Sequence, residues 1–370
     1  SRLFDAIAFR GQSDESSRWR VFRELWESGA SERQWSDELQ PLIGDAAPAL
    51  AEKIVTFANS AVIRQIDAVA SGRLRRFIPE LVDLVVDAER PLPALTRTLA
   101  VTESILRRSA YLALLNENPQ ALAKLVGLCE RSQTIADQIA RYPVLLDELL
   151  DPGIHSEQVT KEDLVSELRQ RFENEANTDS EKQMQSIAQY QRATMFRIAV
   201  ADFSGKLPIM KVSDGLTWLA EAVLDEALRV AWDDLKARHG VPRYIVDGVV
   251  HDAGFGIVGY GKLGGLELSY GSDLDIVFLH DSKGSDQVTD GNKSLDNTIF
   301  FGRLVRRLVH FLTTQTGSGE LYEIDMRLRP DGRSGLLVTS TEAFERYQDE
   351  NAWTWEHRAL LRARAVAGSE

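Results

Sequence analysis

The chain holds one cysteine, Cys129, among 370 residues. No intrachain disulfide can form, so the fold must rest on its apolar core, and a lone thiol suits a reducing cytoplasm. Six histidines are scattered through the sequence, and none falls at zinc-ligand spacing with the cysteine. No apolar run reaches the roughly 18 residues that a membrane span needs, and the opening "SRLFDAIAFRGQSDESSRWR" lacks a secretion-signal pattern. Positive charge is also in short supply: 43 Lys and Arg stand against 56 Asp and Glu, a net charge of −13. A general nucleic-acid binder needs a basic face, so that class is disfavoured. The Ser at position 1 and the ending "RARAVAGSE", which has no stop signal, read as a piece cut from a longer protein.

What is present is a chain with 44% apolar residues and room for two or three domains. The first 240 residues read as successive helices, about nine at ordinary lengths. Apolar residues recur at helical spacing in "LTRTLAVTESILRRSAYLALL" and more clearly in "LTWLAEAVLDEALRVAWDDLKAR". In the latter, Leu216, Leu219, Ala220, Val223, Ala227, Ala231 and Leu235 fall on one stripe. Ser213 or Asp214 is expected to cap its start, and Gly240 followed by Pro242 to stop it. The polar "RFENEANTDSEKQ" reads as an exposed turn.

From about Gly254 the period changes. "FGIVGYG", "DLDIVFLHD", "LYEIDMRLRP" and "GLLVTS" read as strands, a helix starts at Asp296, and "TEAFERYQDENAWTWEHRALLRARA" returns to helix. The expected class is α+β, a large all-helical N-terminal region followed by a small mixed-sheet domain with flanking helices. Boundaries are expected near residues 90, 240 and 340.

The chemistry gathers in "GYGKLGGLELSYGSDLDIVFLHD", Gly259 to Asp281. Asp is a poor strand former, yet Asp273 and Asp275 head an apolar run with only Leu274 between them. Side chains alternate along a strand, so the two carboxylates share a face about 6.6 Å apart. At an effective dielectric near 20 they repel by about 2.5 kcal/mol, a balance that a divalent cation reverses. In "LYEIDMRLRP" the same alternation places Glu323, Asp325, Arg327 and Arg329 on one face, opposite Tyr322, Ile324, Met326 and Leu328. Asp273, Asp275 and Asp325 are therefore the expected catalytic and metal-holding residues. With phosphate oxygens they would hold Mg²⁺, two ions in the fullest arrangement. Gly261, Gly264 and Gly265 let the backbone approach phosphates closely, while Lys262, Ser272, Arg327 and Arg329 are candidate phosphate contacts. The assembled site fits a nucleoside triphosphate, with ATP as the substrate. Structural roles for the same residues are salt bridging by the arginines, turn bonding by Ser272 and a solvated Lys262. His280 and His357 are read as non-catalytic, and Trp353 and Trp355 as packing residues.

Gly264-Gly265 followed by Asp273-Leu274-Asp275 resembles the signature of the polymerase-β-type nucleotidyltransferase superfamily, with Asp325 in place of its third carboxylate. Gly-Gly stands where that superfamily usually has Gly-Ser. A closer resemblance is to the glutamine synthetase adenylyltransferase (adenylyl-removing) family. It is carried by "VGYGKLGGLELSYGSDLDIVFLHD", "LYEIDMRLRPDGRSGLLVTS", "NAWTWEHRALLRARAV", "RSAYLALLNENP", "IARYPVLLDELLDP" and "LPIMKVSDGLTWLAEA". It implies a regulatory enzyme of nitrogen metabolism with two homologous modules, one attaching AMP to a tyrosine of glutamine synthetase and one removing it. The wording here is similar to the C-terminal, attaching module, with residues 1–90 connecting to the preceding half. The resemblance further implies glutamine synthetase and a PII signalling protein as partners, and glutamine as an effector. Three alternatives stay open: the removing direction, another acceptor, and a non-catalytic regulatory module.

Overall fold

The computed structural model describes residues 17–150, 160–173, 180–203, 207–314 and 321–368. The centre of the turn expected in "RFENEANTDSEKQ", 174–179, lies outside them; the helices Lys161–Glu173 and Ser180–Phe203 flank it. The chain divides into two compact units, one from Ser1–Ser156 with Ala199–Lys206, the other from Glu157–Ile198 with Leu207–Glu370. Among the described residues, no helix is long and apolar enough to cross a membrane.

The regular structure described in the first unit is helical, from Ser17–Ser28 to Leu145–Glu148. Local sequence explains several starts. Ser31 and Gln34 form a reciprocal capping box at Glu32–Ile43, and the Asp67 carboxylate accepts the Ala70 N–H at 2.7 Å to open Ala68–Val85. Trp35, Leu39, Leu50, Ile54, Phe77 and Leu81 fill the interior. Up to residue 240 the helices outnumber the nine expected, because the long apolar stretches are interrupted by turns. One such turn is Leu106–Arg108, just before the point where the Arg73 guanidinium donates to the Ser109 hydroxyl at 2.7 Å.

The second unit is built on the 31-residue helix Ile209–His239. All seven residues of its expected stripe are buried. The helix starts earlier than the cap expected at Ser213 or Asp214: Pro208, with its fixed φ, stands at its entry. It stops where expected, at Gly240, whose φ of +84° is left-handed and whose N–H donates to the Lys236 carbonyl.

Two sheets follow. The smaller joins β1 (Pro242–Val246), β2 (Val249–Asp252) and β5 (Ser285–Thr289) in the order β2-β1-β5. The larger has the order β6-β4-β3-β8, from β3 (Phe255–Gly259), β4 (Leu274–His280), β6 (Ile324–Asp325) and β8 (Arg364–Gly368); β7 (Val338–Ser340) also pairs with β4. β4 runs antiparallel to β3 and parallel to β6 and β7, so the sheet is mixed, as expected. The helix Asn297–Thr313 connects parallel neighbours, opened by Asp296, whose carboxylate accepts the Thr298 N–H. Its Phe300, Phe301, Leu304, Val305 and Leu308 join Leu274, Ile276 and Phe278 of β4 and the Ile209–His239 stripe in one core. Each such side chain contributes about 2 kcal/mol of burial, which locks β4 in register.

Two strand expectations need correction. "LYEIDMRLRP" is strand only at Ile324–Asp325. Asp325 accepts the N–H of Arg327 at 2.8 Å, a local bond two residues ahead that turns the chain out of the sheet. The stretch expected to end in helix closes instead as β8, after the helices Thr341–Glu350 and Thr354–Leu360.

Candidate active site

β4 sets the site because its first residues face two ways. Leu274 and Ile276 are fully buried, and Asp275 between them points to the opposite side, half-buried. The parallel register pairs Asp275 with Asp325 on β6, fixed by the Leu274 N–H donating to the Glu323 carbonyl at 2.9 Å. Asp273 precedes the strand and is exposed. The three carboxylates each bring an oxygen within 4.8 Å of the others. An all-oxygen cluster of this size can hold a hard divalent cation.

The electrostatics agree. Asp275 is raised above the ordinary carboxylate range, first by burial and then by repulsion from Asp273 and Asp325, while Arg327 and Lys262 oppose the rise. Arg327 donates Nε–H to Asp325 Oδ2 at 2.6 Å and lies largely in solvent.

The glycine stretch follows β3 as a single helical turn, Gly261–Gly264. The Tyr260 N–H donates to the Asp275 carbonyl at 2.8 Å and seats the turn beside the acids. Gly261 has a φ of +54°, and a Cβ there would meet Asp275 Oδ2 at 2.5 Å, so both backbone and space require glycine. Gly264 and Gly265 donate their N–H groups within the turn, to Tyr260 and Gly261. A Cβ on Gly264 would lie 1.7 Å from the Arg362 carbonyl oxygen, which gives that glycine a packing reason.

The structure thus brings together Asp273, Asp275, Asp325, Gly261, Lys262 and Arg327. It turns two other candidates into their own loops. The Ser272 hydroxyl accepts the Ser269 N–H at 3.2 Å and bonds the Ser269 hydroxyl at 2.9 Å. Arg329 donates to the Met326 carbonyl at 2.8 Å. His280 stacks on Phe301 at 4.6 Å inside the core, and burial lowers its pKa. Trp353 and Trp355 are 70% and 56% exposed, so the packing role expected of them does not hold in this chain.

Two features went unread in the sequence. The β1–β2 hairpin was signalled by Asp247-Gly248, both at positive φ as a two-residue hairpin turn requires. The seat of the glycine turn on β8 involves Arg364, which donates to the Leu263 carbonyl at 3.1 Å.

The chain is similar in sequence to known proteins. The family model described as glutamate-ammonia ligase adenylyltransferase matches residues 122–370. Three relatives share the name bifunctional glutamine synthetase adenylyltransferase/adenylyl-removing enzyme. The one from Thioalkalivibrio sulfidiphilus (strain HL-EbGR7) is 48% identical over 352 residues, covering 94% of this chain and 36% of the relative. That from Pseudomonas putida is 49% identical, covering 93% and 35%. That from Hahella chejuensis is 44% identical, covering 93% and 36%. The chain therefore spans about a third of the length of the curated relatives it matches.

Proposed function

The chain belongs to the glutamate-ammonia ligase adenylyltransferase family, and from that premise we propose that its second unit moves AMP from ATP to a tyrosine of glutamine synthetase. The observation that carries this reading is the meeting of Asp273, Asp275 and Asp325 within 4.8 Å beside the Gly261 turn. Asp273, Asp275 and Asp325 would hold magnesium, two ions when ATP is bound. Bound there, magnesium supplies charge neutralisation for the triphosphate and activation of the attacking oxygen.

The remaining roles fall to the chain. The tyrosine oxygen forms a bond to the α-phosphorus, the bond to the β-phosphate oxygen breaks, and pyrophosphate leaves. Asp325 receives the phenolic proton, needed because a phenol of pKa about 10 is a poor nucleophile at neutral pH. Arg327 orients Asp325 through the 2.6 Å Nε–H bond and joins Lys262 and Arg329 in balancing phosphate charge. Gly261 gives the phosphates their closest backbone approach, with Gly264, Gly265 and Ser272 shaping the loops around it. The resemblance of "GYGKLGG" and "SDLDIVF" to the attaching module favours attachment over removal. On this reading the protein works in the cytoplasm, and a PII signalling protein and glutamine tune its activity.

The test is to incubate the chain with Mg²⁺, α-labelled ATP and unmodified glutamine synthetase. Label on a tyrosine of the acceptor, with release of pyrophosphate, is expected. Phosphate-dependent removal of AMP from modified glutamine synthetase, without attachment, would reverse the direction. Label on neither would remove the reading.

A further inference from the structure

Glu221 lies in the middle of the helix Ile209–His239, only 2% exposed, and carries cations on both its oxygens. Lys161 Nζ sits 2.6 Å from Oε2, and Arg364 Nη2 donates to Oε1. A buried carboxylate needs one good partner; this one has two, so the cluster holds a surplus positive charge. Arg364 does more than satisfy Glu221. The same Nη2 donates to the Leu263 carbonyl at 3.1 Å, and Nε reaches the Gly264 carbonyl at 3.4 Å. Both carbonyls belong to the turn that presses Gly261 against Asp275.

Packing beneath the turn leads to the same segment. Arg364 pairs with Gly259 in the β3–β8 ladder. A Cβ on Gly259 would meet Val366 at 2.8 Å, and one on Gly264 would clash with the Arg362 carbonyl. The glycine turn is thus seated on residues 362–366 with no side chain between. The Arg364 guanidinium binds the turn's carbonyls from outside and fixes its height above the acids. A planar guanidinium is suited to such bridging, since its Nε–H and Nη2–H groups reach a carboxylate and two carbonyls from one rigid fork.

We propose that Arg364, anchored by the buried Glu221 and backed by Lys161, is the positioning residue that sets the glycine turn for ATP phosphates. Arg364 acts through the turn, whose placement against Asp275 decides how closely the triphosphate approaches the acid triad. The inference rests on the nucleotidyl-transfer reading above and deepens it. It also makes Glu221 part of the active site's foundation.

The experiment compares the full chain with Arg364→Ala, Arg364→Lys and Glu221→Gln. It measures KM for ATP, KM for glutamine synthetase, kcat, and calorimetric binding of ATP with Mg²⁺. The thermal shift produced by Mg²⁺ alone is also recorded. Arg364→Ala is expected to raise KM for ATP on the order of tenfold or more, the effect of losing charged hydrogen bonds. KM for glutamine synthetase and the shift from Mg²⁺ alone should stay at wild-type values. Arg364→Lys should recover part of the ATP affinity, and Glu221→Gln should weaken it by a smaller factor. Arg364→Ala that binds ATP as wild type does overturns the inference. So does equal loss of ATP binding and of the Mg²⁺ shift, which marks a general folding defect. Should Arg364→Ala not fold, Arg364→Lys decides alone: a raised KM for ATP supports the role, and an unchanged one ends it. A wild-type chain that binds no ATP overturns the functional reading and this inference with it, whereas an active wild type with an indifferent Arg364 overturns only the inference.

Discussion

The second unit contains two clusters of charge that solve opposite problems. Around Glu221 a buried acid is met by two cations, and every strong interaction is closed within the chain. Around Asp275 three acids converge beside Arg327, which bonds Asp325, and Asp275 is pushed up by burial and by its neighbours. The first cluster pairs one acid with two cations, and the second gathers three carboxylates within 4.8 Å of one another. The first acts on function only through the glycine turn that Arg364 holds, so substitutions in the two should have contrasting signatures.

The largest effect is expected on chemistry. Asp275→Asn should lower AMP transfer by about 10³-fold or more, while leaving the circular-dichroism spectrum and the melting cooperativity intact. An active Asp275→Asn would erase the distinction between the clusters. Next in size is a loss of stability at the Glu221 cluster. Glu221→Leu should destabilise the second unit by about 2 kcal/mol in urea unfolding, since Lys161 and Arg364 lose a buried partner but keep access to water. A stabilised Glu221→Leu would mean that desolvation outweighs the pairing.

A smaller effect separates the clusters by their response to metal. Millimolar Mg²⁺ should raise the melting temperature of the wild type by about 2–4 °C and leave Asp275→Asn unmoved, as selective binding to the folded state requires. The smallest effect is on pH. Asp275 has a raised pKa in the fold, so without metal its ionised form opposes folding at neutral pH, and that penalty fades as pH falls through the raised value. Metal-free Asp275→Asn should therefore be slightly more stable than wild type at pH 7, with the gap closing on acidification. A gap that widens on acidification would reverse the sign assigned to Asp275.

Much of this site was readable from residue order because β4 obeys a simple rule. An apolar run with acids two apart fixes a face, and the core residues Leu274, Ile276 and Phe278 enforce it. The stripe of the Ile209–His239 helix was readable for the same reason, since helical periodicity and burial coincide. Reading failed where local bonds or distant pairing took over. Asp325 was expected as the third carboxylate, and the register pairs it with Asp275, but the strand carrying it is two residues long, because the Asp325 side chain bonds its own backbone ahead. Arg329 and Ser272 also make short-range bonds within their own loops. β8 went unseen because its partner, β3, lies about a hundred residues earlier, and nothing in "RARAV" announces that pairing. Glu221 was hidden in a helical stripe where a charge looks like a surface residue.

The measurement closest to the central claim is anomalous scattering from crystals of the chain grown with Mn²⁺ and a non-hydrolysable ATP analogue. The account predicts a manganese peak within bonding distance of carboxylate oxygens from Asp273, Asp275 and Asp325, with analogue phosphates against the Gly261 turn. Analogue bound with no manganese at the three carboxylates, or manganese held elsewhere, would contradict it.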